Sequence, residues 1–275
     1  MNKLQLLIFL LFSAVFVCSA QSRYQRSKEF GITLGTQSYV GEFNKSPLNV
    51  SNIGYGFYYR YNFNRRVGLN FGFWSGTIEG ADSTSEILFE KNRNLSFQNR
   101  IQELSVVFEM NYFDYQISNP KYPFSPYLFF GVSGIISNPK AENAQGEMVN
   151  LREIGTEGQH FEGGKPYNLI NFAVPFGIGF RANIVKGLAV SVYAGARKTF
   201  TDYIDDVSSF YVSTESFDEN ERPFVDNSIN PPNGLDNNEG TYRGDPSSND
   251  WVFISGVMLN VKLNRKKNSC PAWNL

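Results

Sequence analysis

The sequence predicts an all-β chain, an eight-stranded antiparallel up-and-down transmembrane β-barrel, and three observations predict it. Eight segments alternate apolar with small or polar side chains at a period of two. The connections between them are alternately long and short. No segment after the N-terminal stretch is apolar for the ~20 residues a spanning helix needs, whereas a tilted barrel strand needs roughly 9–11.

The chain opens with the basic start Met1-Asn2-Lys3, an apolar run Leu4–Val17 and the small residues Cys18-Ser19-Ala20. That is the form of an export signal, so residues 1–20 are expected to be a signal peptide cleaved after Ala20. Lipidation at Cys18 is a lesser alternative, because Phe16-Val17 fits that signal poorly. Residues 21–275 are then expected to be one barrel domain.

The strands follow in order. Phe30–Val40 sets Phe30, Ile32 and Leu34 against Gly31, Thr33 and Gly35. Gly54–Tyr61 sets Tyr55, Phe57, Tyr59 and Tyr61 against Gly54, Gly56, Tyr58 and Arg60. Val67–Ile78 sets Leu69, Phe71 and Phe73 against Gly68, Asn70 and Gly72, and Leu95–Met110 sets Leu104, Val106 and Phe108 against Glu103, Ser105 and Glu109. Tyr127–Ile136 sets Leu128, Phe130 and Val132 against Tyr127, Gly131 and Ser133. Asn168–Ala182 shows the pattern most clearly, with Ile170, Phe172, Val174, Phe176, Ile178 and Phe180 on one side and Pro175, Gly177, Gly179 and Arg181 on the other. Leu188–Phe200 and Asp250–Leu263 complete the set.

A soluble sandwich would alternate too, with its apolar face inward. The connections discriminate: 41–53, 79–94, 137–167 and 201–249 are long, whereas Asn62–Arg66 and Asn183–Gly187 are short, and only Asn111–Pro126 exceeds the pattern. Long outer loops and short periplasmic turns, with both termini in the periplasm, are what an outer-membrane barrel shows. Eight strands leave room inside for side chains rather than a channel. Arg60, Arg181 and Arg197 are expected there, facing Glu103 and Glu109 as barrel-interior charges. Tyr59, Tyr61, Phe63, Tyr112, Phe113 and Tyr127 at one end, with Phe200 and Trp251 at the other, are expected in interfacial girdles.

The 25 Lys and Arg nearly cancel the 26 Asp and Glu, so no basic field points to nucleic acid. The charge is instead sorted by side. Loop 201–249 carries eleven acidic and two basic residues, while residues 21–29, the turns Asn62–Arg66 and Asn183–Gly187 and the tail 264–275 are basic and Asn111–Pro126 is neutral. Arg65, Arg66, Lys186, Lys266 and Lys267 therefore form a candidate partner-binding rim on the periplasmic side.

One His and two Cys are too few for a zinc site or a disulfide framework, and no metal or cofactor is expected. His160 with Asp202, Asp205 or Asp206 is the one candidate for hydrolysis, without a motif to support it. The acidic run lacks the residue order of a calcium loop, so its carboxylates are expected to be solvated. Once Cys18 is removed, Cys270 is an odd thiol in an oxidising compartment, either free or paired with another chain. These residues leave three readings of function: an anchoring barrel, a barrel that binds through its acidic loops, and a hydrolase.

Several stretches carry a family resemblance: Phe30-Gly31-Ile32-Thr33-Leu34-Gly35, Tyr59-Arg60-Tyr61-Asn62-Phe63-Asn64, Gly155-Thr156-Glu157-Gly158-Gln159 and Val174-Pro175-Phe176-Gly177-Ile178-Gly179. Lys198-Thr199-Phe200-Thr201-Asp202-Tyr203-Ile204-Asp205-Asp206-Val207-Ser208 and Arg243-Gly244-Asp245-Pro246-Ser247 extend it. With these the chain resembles the PorG-type outer-membrane proteins of the type IX secretion system. The resemblance implies a non-enzymatic subunit, embedded in outer-membrane lipid, that docks a periplasmic ring built by a PorK-like lipoprotein and a PorN-like companion. It also implies that Cys270 ties the subunit to its ring partner. One departure is the tail beyond Leu263, where many barrels end on an aromatic residue.

Overall fold

A computed structural model describes residues 26–49, 52–230 and 238–263. Residues 1–20, expected to be a signal peptide, and the tail residues Lys266, Lys267 and Cys270 lie outside the described residues.

Eight long strands close into a barrel: β1 (Ser27–Val40), β2 (Asn52–Asn62), β3 (Val67–Ala81), β4 (Ser96–Asn111), β5 (Phe124–Ile136), β8 (Ile170–Val185), β9 (Leu188–Thr199) and β10 (Trp251–Leu263). Each pairs antiparallel with its sequence neighbour in the ring, and β1 closes on β10 from Lys28↔Leu263 to Val40↔Trp251. A small hairpin, β6 (Lys140–Glu142) and β7 (Met148–Asn150), sits in the loop after β5 and joins the ring at Gln98↔Lys140. The sequence predicts only a long connection over 137–167. Asn143, whose Oδ1 takes the amides of Gln145 and Glu147, and Gly146 at φ 83° make the hairpin turn.

The barrel is inside out relative to a soluble sandwich. Phe30, Ile32, Leu34, Phe57, Phe71, Leu104, Val106, Leu128, Phe130, Val132, Ile170, Phe172, Ile178, Val257, Leu259 and Val261 all stand exposed on its outer wall. Their partners at the intervening positions are buried, among them Glu29, Arg60, Asn70, Glu103, Glu109, Arg181 and Asn260. A water-facing wall with so continuous an apolar belt is not sustainable, and the belt identifies a membrane-spanning barrel of the outer-membrane type. Residues 41–49, 82–95, 137–169, 200–230 and 238–250 gather at one end, here the loop end. The turns 63–66, 112–123 and 186–187 gather at the other, the turn end.

Backbone approach explains two of the interior glycines. A Cβ on Gly179 would lie 2.3 Å from the ring of Tyr127, and one on Gly195 would lie 2.4 Å from Phe129. Each ring lies flat over bare backbone, which is how a narrow barrel admits aromatics. Tyr127 is thereby a correction: it is buried inside the barrel, and not in the interfacial girdle. β5 begins three residues earlier than expected, and Phe124 takes the exposed position near Phe113 instead.

The long turn 112–123 also has its reason. Its Tyr115 and Ile117 fold under the barrel and pack on Ala189, with Tyr115 Oη donating to Asn183 Oδ1 at 2.9 Å. The turn is a floor.

Candidate functional site

Three groups of polar residues are built by this fold. The first lies inside the turn half of the barrel, where β2, β4 and β8 each aim a charged residue at the axis. Arg60 bridges Glu29 at 2.9 Å and Glu109 at 2.7 Å, and Arg181 reaches the same Glu109 at 2.6 Å. Asn62 and Asn70 donate to the remaining carboxylate oxygens at 2.7 and 2.8 Å, and the Arg181 guanidinium lies 3.8 Å from the Tyr127 ring centroid. Arg197 pairs separately with Glu103 at 3.2 Å. Of the interior charges read from the sequence, the structure thus brings Arg60, Arg181 and Glu109 together and sets Arg197 and Glu103 apart. Glu29 lies one residue before the strand expected from the sequence, Phe30–Val40, yet in phase with Gly31 and Thr33. A cavity of about 60 Å³, lined by Tyr58, Asn70, Glu103, Tyr127 and Arg197 among others, remains between the two groups. It has room for a few waters and nothing larger.

The second group closes the loop end. The run Ile204–Val207 enters the barrel mouth, where Ile204 and Val207 pack with Tyr39, Ile78, Phe97, Ile101, Val252 and Ile254. Asn99 Nδ2 donates to the Ile204 carbonyl at 2.6 Å. Glu157 then gathers the descending loop: it accepts from the amides of Ser208 (2.8 Å) and Ser209 (3.1 Å), from Ser209 Oγ (2.7 Å) and Tyr203 Oη (3.2 Å), and pairs with Arg243 at 3.0 Å. Asp206, in the left-handed region at φ 70°, accepts from Thr156 Oγ1 at 2.5 Å and Tyr167 Oη at 2.6 Å. Arg93, bidentate on Asp82, donates to the Arg243 carbonyl and ties the β3–β4 loop to the same cap.

This overturns the expectation of solvated loop carboxylates. Asp205, Asp206 and Asp250 are fully or almost fully buried, and Asp202 is buried too. The acidic surplus of loop 201–249 gave no hint of this, since it is the distant partners Thr156, Glu157 and Tyr167 that take the run inward. Burial raises the Asp206 carboxyl to about 6 against the opposing pull of Arg243, and raises Asp202 to about 7. Glu42, Asp205 and Asp250 meet beside them and are likewise raised, by burial first and then by a neighbouring carboxylate, Asp202 for Glu42, Glu42 for Asp205 and Asp205 for Asp250.

The third group is the turn end. Arg66 Nε donates to Asp114 at 2.8 Å, and Arg65 lies 3.7 Å from the same carboxylate with its guanidinium 4.3 Å from the Tyr122 ring centroid. Lys186 is exposed on the adjacent turn. The basic rim is therefore partly neutralised by an acid on the neighbouring turn.

His160 does not join the aspartates. Its Nε2 lies 2.8 Å from the Arg152 carbonyl on the exposed side of the loop. Asp202, Asp205 and Asp206 lie in the buried cap, and among the described residues no hydrogen bond joins His160 to any of them.

Solved outer-membrane barrels are similar in architecture. The attachment invasion locus protein Ail of Yersinia pestis aligns with 87% of this chain and 99% of its own at 10% identity and a TM-score of 0.42. Neisserial surface protein A does so with the same coverage at 7% identity and a TM-score of 0.42, and the N-terminal β-barrel domain of Pseudomonas aeruginosa OprF covers 86% of this chain at 9% identity and a TM-score of 0.38. No curated protein matches the sequence. The family model described as "Domain of unknown function (DUF6089)" matches residues 5–219, most of the chain, and the protein belongs to that family.

Proposed function

We propose that the protein is a non-enzymatic, non-conducting outer-membrane barrel that gives a periplasmic assembly its foothold in lipid. The observation that carries this reading is that the barrel is closed at both ends and filled between them. Tyr115 and Ile117 form the floor, Ile204 and Val207 the stopper, and Arg60, Glu109, Tyr127 and Phe129 occupy the space between. A body of this kind offers rigid surfaces and no passage.

The resemblance to PorG-type proteins gives the assembly a chemistry: a PorK-like lipoprotein and a PorN-like companion of a type IX secretion apparatus, in protein export or gliding. In this reading the turn end faces the periplasm and docks through Arg65, Arg66 and Lys186, with Lys266, Lys267 and Cys270 following in the tail. The exposed guanidinium of Arg66 and the exposed Lys186 support it, as does the tail's composition. Non-reducing electrophoresis of membranes carrying the wild type and Cys270→Ser tests it. The expected result is a higher-mass band, containing a periplasmic lipoprotein, that is lost on reduction and in the variant. A monomer in both, together with unchanged co-purifying partners after Arg65→Glu, Arg66→Glu and Lys186→Glu, would contradict docking. A second reading, a barrel that binds its ligand through the loop end, draws on the ordered cap; a pull-down without any periplasmic lipoprotein would favour it.

A further inference from the structure

Every buried arginine at the loop end has its acid: Arg93 holds Asp82, and Arg243 holds Glu157 and Asp206. Five further carboxylates are buried there without an ion pair among the described residues, Asp202 and Glu90 among them, and three of the five come together. Glu42 follows β1, Asp205 lies in the descending run and Asp250 precedes β10, and one oxygen from each falls within 4.8 Å of the others. Backbone and hydroxyl donors fix their orientation. Asp205 accepts from the amides of Glu42 (3.2 Å) and Val207 (3.0 Å) and from Tyr39 Oη (3.3 Å); Asp250 Oδ2 accepts from the Ile204 amide (3.0 Å), and Glu42 Oε1 from the Asp245 amide (3.3 Å).

Those donors leave two oxygens over. Glu42 Oε2 and Asp250 Oδ1 are buried with no hydrogen-bond partner among the described residues, on side chains that are only 5% and 1% exposed. Asp250 Oδ1 lies beside Gly41, where a Cβ would stand 2.2 Å from it and 3.1 Å from Asp205 Oδ2, so the glycine keeps space open at the cluster. Lys45 is close and its charge favours the ionised Glu42, but it forms no ion pair with it among the described residues; its ammonium donates to the Gly41 carbonyl at 2.8 Å on the exposed side. A cleft of about 270 Å³ between the loops has Asp205 in its lining.

We propose that Glu42, Asp205 and Asp250 bind a divalent, oxygen-seeking cation of the calcium class at the barrel mouth, pinning the loop cap to the ends of β1 and β10. Three hard carboxylates, two of them with an unused oxygen, match the ligand chemistry of calcium. The cation also supplies the positive charge that three like charges in a low-dielectric site otherwise lack. The competing account of the same geometry is a cluster of carboxyls sharing protons.

The test uses the full mature chain folded in detergent micelles and stripped with chelator. Terbium is added and its luminescence followed, with Tyr39, hydrogen-bonded to Asp205, as the sensitiser; calcium is then used to displace it. Saturable terbium luminescence that calcium displaces is expected, with a calcium-dependent rise in melting temperature. Glu42→Gln and Asp250→Asn are each expected to weaken calcium binding at least tenfold while the barrel keeps its heat-modifiable mobility on gels. No saturable binding of either ion to the folded wild type up to about 10 mM, above the ~10⁻⁴–10⁻³ M typical of extracellular calcium modules, would overturn the site in favour of proton sharing. Binding unchanged in both variants would overturn it as well. Should one variant fail to fold, the other and the wild-type titration still decide.

Discussion

Glu109 is the residue on which the barrel interior depends. It faces two guanidinium groups, Arg60 and Arg181, and takes an amide from Asn70, all of them buried. Removing one member of such a group strands the other charges in low dielectric, which costs roughly 3–5 kcal/mol. Glu109→Gln is therefore expected to lower the urea midpoint of the barrel in detergent far more than Lys186→Gln on the exposed turn. The glycines give a second contrast at this scale. Gly179→Ala drives a methyl into the Tyr127 ring and should destabilise by about 1–3 kcal/mol, whereas a Cβ on Gly134 meets nothing within 4 Å and Gly134→Ala should be nearly neutral. Equal midpoints for the two would refute the account of ring-on-backbone packing.

At the scale of elements, the cap is a unit hung on Glu157. Glu157→Ala is expected to release Ser208, Ser209 and Arg243 together, so that added protease nicks loop 201–249 while the strands remain folded and heat-modifiable. The cap also carries a pH dependence in metal-free buffer. Asp206, facing Arg243, Tyr167, Thr156 and Glu157, has its carboxyl raised to about 6 by burial, above its value in the open loop. The closed cap thus holds a proton that the open loop gives up, and this contribution is full below about pH 4 and is lost as pH rises through about 6. A probe on the loop should report cap opening at lower urea at pH 8 than at pH 5; the reverse order would be inconsistent with a buried, raised Asp206.

Strand and cap differ in how far the sequence reveals them, and the reason is physical. A strand's lipid face is set by the period of its own residues, so Ile170, Phe172, Phe176 and Ile178 can be placed outward from the sequence and Arg60 and Glu109 inward from the opposite phase, although which acid each arginine meets is not legible there. The cap is made by partners remote in sequence. Nothing local to Asp205 announces Glu42 or Asp250, and nothing local to Asp206 announces Thr156. Its parts do coincide with the Gly155–Gln159, Lys198–Ser208 and Arg243–Ser247 stretches that carried the family resemblance: what was recognisable as a motif is the place where the loops meet. Tyr127 failed for a different reason, because an aromatic near a strand end reads as an interfacial anchor until the bare backbone of Gly179 opposite it is known.

For the molecule as a whole, the account is that lipid covers the outer wall while ion pairs, rings and the loop cap fill the inside. Filled and closed, it should show no more than background conductance in planar bilayers, and steady single-channel steps would contradict the stopper formed by Ile204 and Val207. The most direct test of the central claim is depth-dependent quenching. Tryptophan is placed singly at Ile178, on the outer wall, and at Tyr193, inside, in a chain whose native tryptophans have been replaced, and the protein is reconstituted in vesicles containing lipids with nitroxide-labelled acyl chains. The account predicts strong quenching at position 178 and little at position 193. Equal protection of both, with the chain monodisperse in buffer free of detergent, would mean that protein and not lipid covers the apolar wall.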